Sequence, residues 1–164
     1  MIILGIDPGT ATTGYGIVRE DEEGAPVAVE FGVITTPAGD PMPRRLQHIY
    51  REVTRLISVY HPDEAAIEEM FFGKNVTAAI TVAQGRGVTL LAMANAGLKI
   101  REFKPAEIKQ TIAGSGNAPK PQMQEMVRTL LDLEKIPKPD DAADALAIAI
   151  TALQSSRWER LVGE

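Results

Sequence analysis

The spacing of hydrophobic positions changes along the first third of the chain. Residues 2–6 form a short apolar run that stops at Asp7-Pro8-Gly9, which predicts a buried strand ended by a turn. Residues 14–19 and 27–35 predict two further strands, joined by an acidic hairpin loop. Residues 44–60 instead repeat their apolar side chains three and four apart, which predicts an amphipathic helix.

The remainder of the chain alternates between strand and helix patterns. Short apolar runs predict strands at residues 64–68 and 99–103. Helices are predicted at residues 76–95, 105–113 and 122–133, and a final one runs from about residue 140 through 153. The helix at 76–95 is rich in Ala, Val, Leu and Met, so we expect it to be largely buried.

Three consecutive strands followed by alternating helices and strands predict an α/β fold. The sheet should be mixed and five-stranded, with helices flanking it. The 164 residues contain no internal repeat and no long linker, so we expect a single domain over residues 1–164, with the last few residues forming a flexible tail.

Composition excludes several classes of site. The chain has no cysteine, which rules out disulfides, thiolate metal sites and cysteine nucleophiles. It has no apolar run long enough to cross a bilayer and no basic leader with a cleavage site. We therefore expect a cytoplasmic protein without a membrane segment, whose metal ligands, if any, are oxygen atoms or histidines.

The net charge of −5 is distributed unevenly. Residues 1–70 carry a charge of −7, residues 71–128 carry +5 and residues 129–164 carry −3. A basic middle between acidic ends fits a phosphate-binding surface beside a cluster of carboxylates. An ordinary solvated surface would give the same pattern, so charge alone does not decide between them.

Four acidic residues occupy positions from which they can converge. Asp7 ends the first predicted strand and Glu68 ends the fourth, while Asp141 and Asp144 are three residues apart and share one face of the last helix. If the first and fourth strands pair, their ends come level. Oxygen ligands of this kind suit Mg²⁺ or Mn²⁺, and paired ions assist phosphodiester hydrolysis.

Each acid also has a purely structural explanation. Asp7 before Pro-Gly is a common turn residue, and Asp141 suits a helix N-cap. Asp144 is harder to explain in this way because it interrupts an otherwise apolar helix. Glu69 and Asp140 are adjacent competitors that spacing alone does not eliminate.

Several longer motifs occur in order along the chain. They are Ile-Leu-Gly-Ile-Asp-Pro-Gly-Thr at 3–10, Thr-Gly-Tyr-Gly at 13–16, Ala-Ile-Glu at 66–68, Lys74-Asn75, Gln-Gly-Arg-Gly at 84–87, Val-Arg-Thr-Leu-Leu at 127–131 and Asp-Ala-Ala-Asp-Ala-Leu-Ala-Ile-Ala-Ile at 141–150. In this set the chain closely resembles the RuvC family of bacterial Holliday junction resolvases. The resemblance covers nearly the whole chain, and the Asp-Pro-Gly-Thr turn alone would be a weak signal.

The resemblance implies a ribonuclease H-like fold and a homodimeric endonuclease. Such an enzyme resolves four-way DNA junctions by paired symmetric nicks in recombination and repair, and the family implies a RuvA-RuvB branch-migration partner. The resemblance assigns catalysis and metal binding to Asp7, Glu68, Asp141 and Asp144, in preference to Glu69 and Asp140. It implies Mg²⁺ as the cofactor, with Mn²⁺ as a substitute and two ions per site.

Three further residues are candidate DNA contacts. Lys109 and Lys120 lie in the positive third of the chain, where the resemblance supports phosphate contacts, although solvated lysines are common. Phe71 follows the fourth strand in a loop, where an aromatic side chain can wedge between bases. We expect the adjacent Phe72 to fold back on the core instead.

Three other functions compete with junction resolution. The turn after Asp7 is similar to the phosphate-binding turn of actin and sugar-kinase ATPases, but such enzymes need a second domain, which we do not expect in a chain of 164 residues. A junction-binding scaffold without catalysis would lack some of the acids, and all four are present. A related group acts on ribosomal RNA precursors, which the Asp-Ala-Ala-Asp helix and the full-length resemblance disfavour.

Overall fold

The computed structural model describes residues 1–71 and 73–163. Over these residues the elements are β1 (Ile2–Asp7), β2 (Thr12–Glu20), β3 (Pro26–Thr35), α1 (Met42–Tyr60), β4 (Glu64–Glu68), α2 (Val76–Asn95), β5 (Lys99–Phe103), α3 (Pro105–Ala113), α4 (Lys120–Leu130) and α5 (Asp140–Val162). The predicted order of strands and helices is therefore confirmed.

One mixed sheet of five strands has the order β3-β2-β1-β4-β5. β1, β2 and β3 are antiparallel neighbours, whereas β4 runs parallel to β1 and β5 runs parallel to β4. The expected five-stranded mixed sheet is confirmed. Because β1 and β4 are parallel neighbours, their carboxyl ends lie at one edge of the sheet.

The sheet is packed on both faces. On one face, Ile3, Val18 and Ala66 are buried against α5 and its neighbours α3 and α4. On the other face, Leu4 and Ile17 belong to a second apolar cluster that includes residues of α1 and α2. Alternate residues of a strand point to opposite faces, so Asp7 shares the α5 face with Ile3.

Three glycines allow α5 to lie unusually close to the sheet. A Cβ atom at Gly5 would be 2.3 Å from the carbonyl oxygen of Ala145, and one at Gly16 would be 2.8 Å from the Leu146 side chain. At Gly14 the corresponding distance to the carbonyl oxygen of Asp141 would be 2.0 Å. Any larger residue at Gly14 would thus push the beginning of α5 away from the end of β1.

The last helix is longer than the sequence predicts. α5 continues to Val162, nine residues beyond the predicted end at Leu153. Its final turns are held by ion pairs to the sheet, of Arg101 with Glu159 and of Arg160 with Glu20. These partners are distant in sequence, which is why the local pattern did not reveal the extension.

The prediction that α2 is largely buried is wrong. Small residues such as Ala79, Gly85 and Ala92 face the protein, but Ile80 and Leu91 are exposed. By length and composition alone α2 could cross a membrane, but a single helix of this kind is weak evidence, because helices packed on globular proteins pass the same test. α2 packs against α1, and its other side forms an exposed apolar face.

Candidate metal centre

Parallel pairing brings two of the predicted acids to the same edge of the sheet. Ile6 of β1 is the partner of Ile67 of β4, so the next residues, Asp7 and Glu68, end neighbouring strands. Both side chains are half-buried. The expectation that these two strand ends come level is confirmed.

The start of α5 brings two more acids to this edge. One carboxylate oxygen each of Asp7, Asp141 and Asp144 lie within 4.8 Å of one another. Gly14, which pairs with Asp7 across β1 and β2, makes room for the backbone of Asp141. We call Asp7, Asp141 and Asp144 the acidic trio. An all-oxygen set of this kind fits a hard divalent cation.

Glu68 lies beside the acidic trio rather than within it. The charge of its carboxylate helps to raise the pKa of Asp7, and the charge of Asp144 helps to raise the pKa of Glu68. Glu68 also lines two cavities, one next to Asp144 and one next to Asp7. Glu68 is therefore shared by the two cavities that lie beside the trio.

Burial and the crowding of carboxylates raise the pKa values of acids at this site. Burial, followed by the charges of Asp144 and Asp141, raises the pKa of Asp7 from 3.8 to about 8. Burial is also the main reason that the pKa values of Glu68 and Asp144 are raised. Ionised carboxylates so close together repel one another, and a bound cation would relieve that repulsion.

The two competing acids have other surroundings. Asp140 is exposed and forms ion pairs with Lys120 at 3.6 Å and with Lys138 at 3.7 Å. The backbone N–H of Glu69 donates to the carbonyl oxygen of Phe103, continuing the pairing of β4 with β5. Among the described residues, the trio that can hold a metal includes neither acid.

In the part of the chain that the structure describes, two cavities adjoin the acidic trio. The first, of about 480 Å³, is lined by Glu68, Asp144 and both predicted DNA-contacting lysines, Lys109 and Lys120. Lys109 lies within α3 and Lys120 is the first residue of α4. The structure therefore places both lysines next to the carboxylates. The placement of Lys120 in a helix differs from the sequence analysis, which began α4 at residue 122.

The second cavity, of about 430 Å³, lies on the other side of Glu68. Its lining includes Asp7, Phe71, Lys74 and Arg86. The Phe71 side chain is 62% exposed, so it does not enter the core. Phe72, which we expected to do so, lies outside the described residues.

Arg86 is a cation near the site that the sequence analysis did not single out. Its guanidinium donates to the backbone carbonyl of Glu68 at 3.3 Å and lies 3.4 Å from a carboxylate oxygen of Glu102. The side chain is only 14% exposed. A charged residue inside an apolar helix, the signal that marked Asp144, would also have marked Arg86.

The family model "Crossover junction endodeoxyribonuclease RuvC" matches residues 3–152 of the chain. The chain belongs to the RuvC family. The RuvC of Chloroflexus aggregans is 57% identical over 150 residues, which are 92% of this chain and 91% of that protein.

Solved RuvC structures have the same fold. The structure of Thermus thermophilus RuvC is 33% identical to this chain with a TM-score of 0.88, covering 96% of this chain and 97% of that one. T. thermophilus RuvC in complex with a Holliday junction substrate is 30% identical with a TM-score of 0.86, covering 96% of each chain. The ribonuclease H-like fold implied by the RuvC resemblance is confirmed.

Proposed function

We propose that this chain resolves four-way DNA junctions by metal-assisted phosphodiester hydrolysis, as an endodeoxyribonuclease acting in recombination and repair. The acidic trio is the observation that carries this proposal, because it lies where β1 and β4 end, between two cavities lined by basic side chains. Membership of a family of crossover junction endodeoxyribonucleases supports the reaction. The similarity to T. thermophilus RuvC in complex with a Holliday junction substrate supports a four-way junction as the substrate.

The cofactor that fits these ligands is Mg²⁺, with Mn²⁺ as a substitute and two ions per site. Asp7, Asp141 and Asp144 would hold metal directly, and Glu68 would contribute from the side of β4. When bound, such ions supply an activated water and stabilise the leaving oxygen. The chain's own carboxylates position this chemistry at the open edge of the sheet.

The basic side chains around the trio would hold the DNA backbone. Lys109 and Lys120 line the cavity next to Asp144, where they can contact phosphates and offset the repulsion between DNA and the acids. These contacts would position the DNA without reading its sequence. We propose both lysines as DNA-binding residues.

Phe71 would act on the distorted part of the junction. Its exposed ring lies in the loop that follows β4, at the cavity next to Asp7. An aromatic ring in that position can stack on an unpaired base or wedge between two base pairs. We propose that it helps to open the crossover or to hold it open.

The active unit would be a two-fold homodimer acting in the cytoplasm. Two identical sites related by a two-fold axis can nick two strands of like polarity at symmetric positions. The exposed apolar face of α2, which includes Ile80 and Leu91, would supply contact area. We propose one domain per chain and, on the basis of the family, a RuvA-RuvB branch-migration complex as partner.

The proposed substrate and cofactor can be tested together. A synthetic four-way junction and a linear duplex of the same sequence are incubated with the protein, with Mg²⁺, with Mn²⁺ or with chelator, and the cuts are mapped on sequencing gels. We expect two symmetric nicks in the junction, only with metal, and little cutting of the duplex. Cleavage in chelator, or equal cutting of both substrates, would contradict the proposal.

A further inference from the structure

The Lys120 ammonium is shared between two acids of α5. Its Nζ atom lies 3.6 Å from a carboxylate oxygen of Asp144 and 3.6 Å from one of Asp140. Asp144 belongs to the acidic trio, whereas Asp140 lies outside it. A single side chain therefore links the carboxylate cluster to the surface beside it.

This ammonium contacts a carboxylate that a metal ion would also need. A divalent cation on Asp144 and an ammonium at 3.6 Å from the same carboxylate repel each other. Lys120 is 53% exposed, and only its backbone is fixed by the first turn of α4. The side chain is thus free to turn away from Asp144 toward the cavity that it lines.

The release of Lys120 would leave no acid without a partner. Asp140 also contacts Lys138 at 3.7 Å and accepts a hydrogen bond from Gln124 at 3.1 Å. Asp144 would exchange the ammonium for the metal. The freed ammonium would then be available to a phosphate of the DNA.

We propose that Lys120 is a positioning residue that exchanges between Asp144 and a DNA phosphate, and so couples binding of the divalent ion to binding of the junction. The inference rests on the proposed function, because it needs both a metal and a nucleic acid at this site. Reciprocity follows from thermodynamic linkage: if metal releases Lys120 for DNA, then DNA must raise the affinity for metal by the same factor.

The ionisation of Lys120 is consistent with this exchange. The charge of Asp144 is the main reason that the pKa of Lys120 is raised above 10.5. Away from Asp144 the side chain also stays charged, because the ordinary pKa of a lysine is well above neutral pH, so the exchange requires no proton transfer.

Lys138 offers a matched control for Lys120. It is also an exposed lysine paired with Asp140, but among the described residues its ion pair does not extend to Asp144. Replacing either lysine removes one positive charge close to the start of α5. Only replacement of Lys120 removes the contact with the acidic trio.

The first measurement is the affinity for Mn²⁺ without DNA at pH 8. The electron paramagnetic resonance signal of the free ion reports how much Mn²⁺ remains unbound. We expect Lys120→Met to bind Mn²⁺ about fivefold more tightly than wild type, and Lys138→Met to change affinity by less than about twofold. Lys120→Arg, which keeps the charge, should resemble wild type. Equal affinities of the two Met variants, or weaker binding by Lys120→Met, would overturn the proposal.

A second measurement addresses the coupling itself. Junction affinity is measured by fluorescence anisotropy with and without Ca²⁺, with gels confirming that the junction stays intact. Ca²⁺ should tighten junction binding by wild type and Lys138→Met several times more than by Lys120→Met. Equal gains in all three proteins would overturn the inference.

An Asp7→Asn variant separates this inference from the proposed function. If Asp7→Asn binds Mn²⁺ as well as wild type, the metal centre itself is wrongly placed and the proposed function fails. If Asp7→Asn loses Mn²⁺ binding while Lys120→Met and Lys138→Met behave alike, the metal centre stands and the exchange of Lys120 is wrong.

Discussion

Gly14 lies against the backbone of Asp141, where the last helix crosses the edge of the sheet. A Cβ atom at Gly14 would be 2.0 Å from the carbonyl oxygen of Asp141, which is far closer than two such atoms approach. Gly14 pairs with Asp7 in the sheet. The absence of a side chain at Gly14 of β2 is therefore what lets the trio carboxylates of β1 and α5 meet.

Replacing this glycine should damage both stability and the metal site. We expect Gly14→Ala to lower the free energy of unfolding by about 1–3 kcal/mol, because α5 must shift away from β2. Metal affinity should fall as well. Urea denaturation and Mn²⁺ titration measure the two effects. Gly39→Ala is the control, since a Cβ atom at Gly39 would meet no other atom within 4 Å. Equal behaviour of the two variants would contradict this account of α5 packing.

The raised pKa of Asp7 predicts a pH dependence of stability without metal. The pKa of Asp7 is about 8 in the folded protein, so between about pH 4 and pH 8 the folded state binds more protons than the unfolded state. Its contribution to stability is complete below pH 4 and is lost as pH rises through 8.

Comparison with Asp7→Asn isolates this effect. In chelator, the free energy of unfolding of wild type should fall relative to that of Asp7→Asn by on the order of 1 kcal/mol or more between pH 5 and pH 8. Added Mg²⁺ should reduce the difference. Parallel stability curves for the two proteins from pH 5 to pH 8 would show that Asp7 titrates normally.

Lys109 should contribute to DNA binding through charge. We expect Lys109→Ala to weaken junction binding and to reduce the slope of log affinity against log salt concentration by about one unit. Lys135→Ala is the control, because Lys135 is exposed in the acidic last part of the chain. Filter binding over a range of NaCl concentrations gives the slope. An unchanged slope for Lys109→Ala would mean that this lysine is only solvated.

Phe71 should matter most when the junction is closed. We expect Phe71→Ala to slow cleavage of an intact junction roughly tenfold or more. Cleavage of a junction with unpaired bases at the crossover should slow much less. Trp158→Ala is the control, because Trp158 is also an exposed aromatic residue but lines a different cavity near Gly24. Rates under single-turnover conditions test this. Equal slowing on both substrates would argue against a wedge.

The local pattern of the chain predicted much of the fold and made the four acids candidates, and the resemblance to the RuvC family selected them over Glu69 and Asp140. Apolar runs and their ends placed Asp7 and Glu68, and a three-residue spacing placed Asp141 and Asp144 on one helix face. The ion pair of Lys120 with Asp144 was not predictable, because it depends on how α4 packs beside α5. Sequence spacing describes neighbours within an element, whereas this contact joins residues 24 positions apart.

The exposure of α2 was also beyond the local pattern. Apolar residues on the outer side of this helix would fit either a buried core or an exposed face. The sequence therefore did not indicate that Ile80 and Leu91 are exposed. The sequence analysis also assigned no role to Arg86. Its contacts with Glu68 and Glu102 join α2 to β4 and β5, so they depend on the tertiary fold.

The most direct test of the metal-dependent nuclease site is Asp144→Asn, measured for cleavage and for binding of the same four-way junction. The amide removes a metal ligand and one negative charge that repels phosphate, so we expect cleavage to fall by at least about a thousandfold while junction affinity stays equal or rises. Asp132→Asn, an exposed acid outside the trio, should cleave normally. Cleavage by Asp144→Asn at the wild-type rate, or a parallel loss of binding and cleavage, would contradict the account.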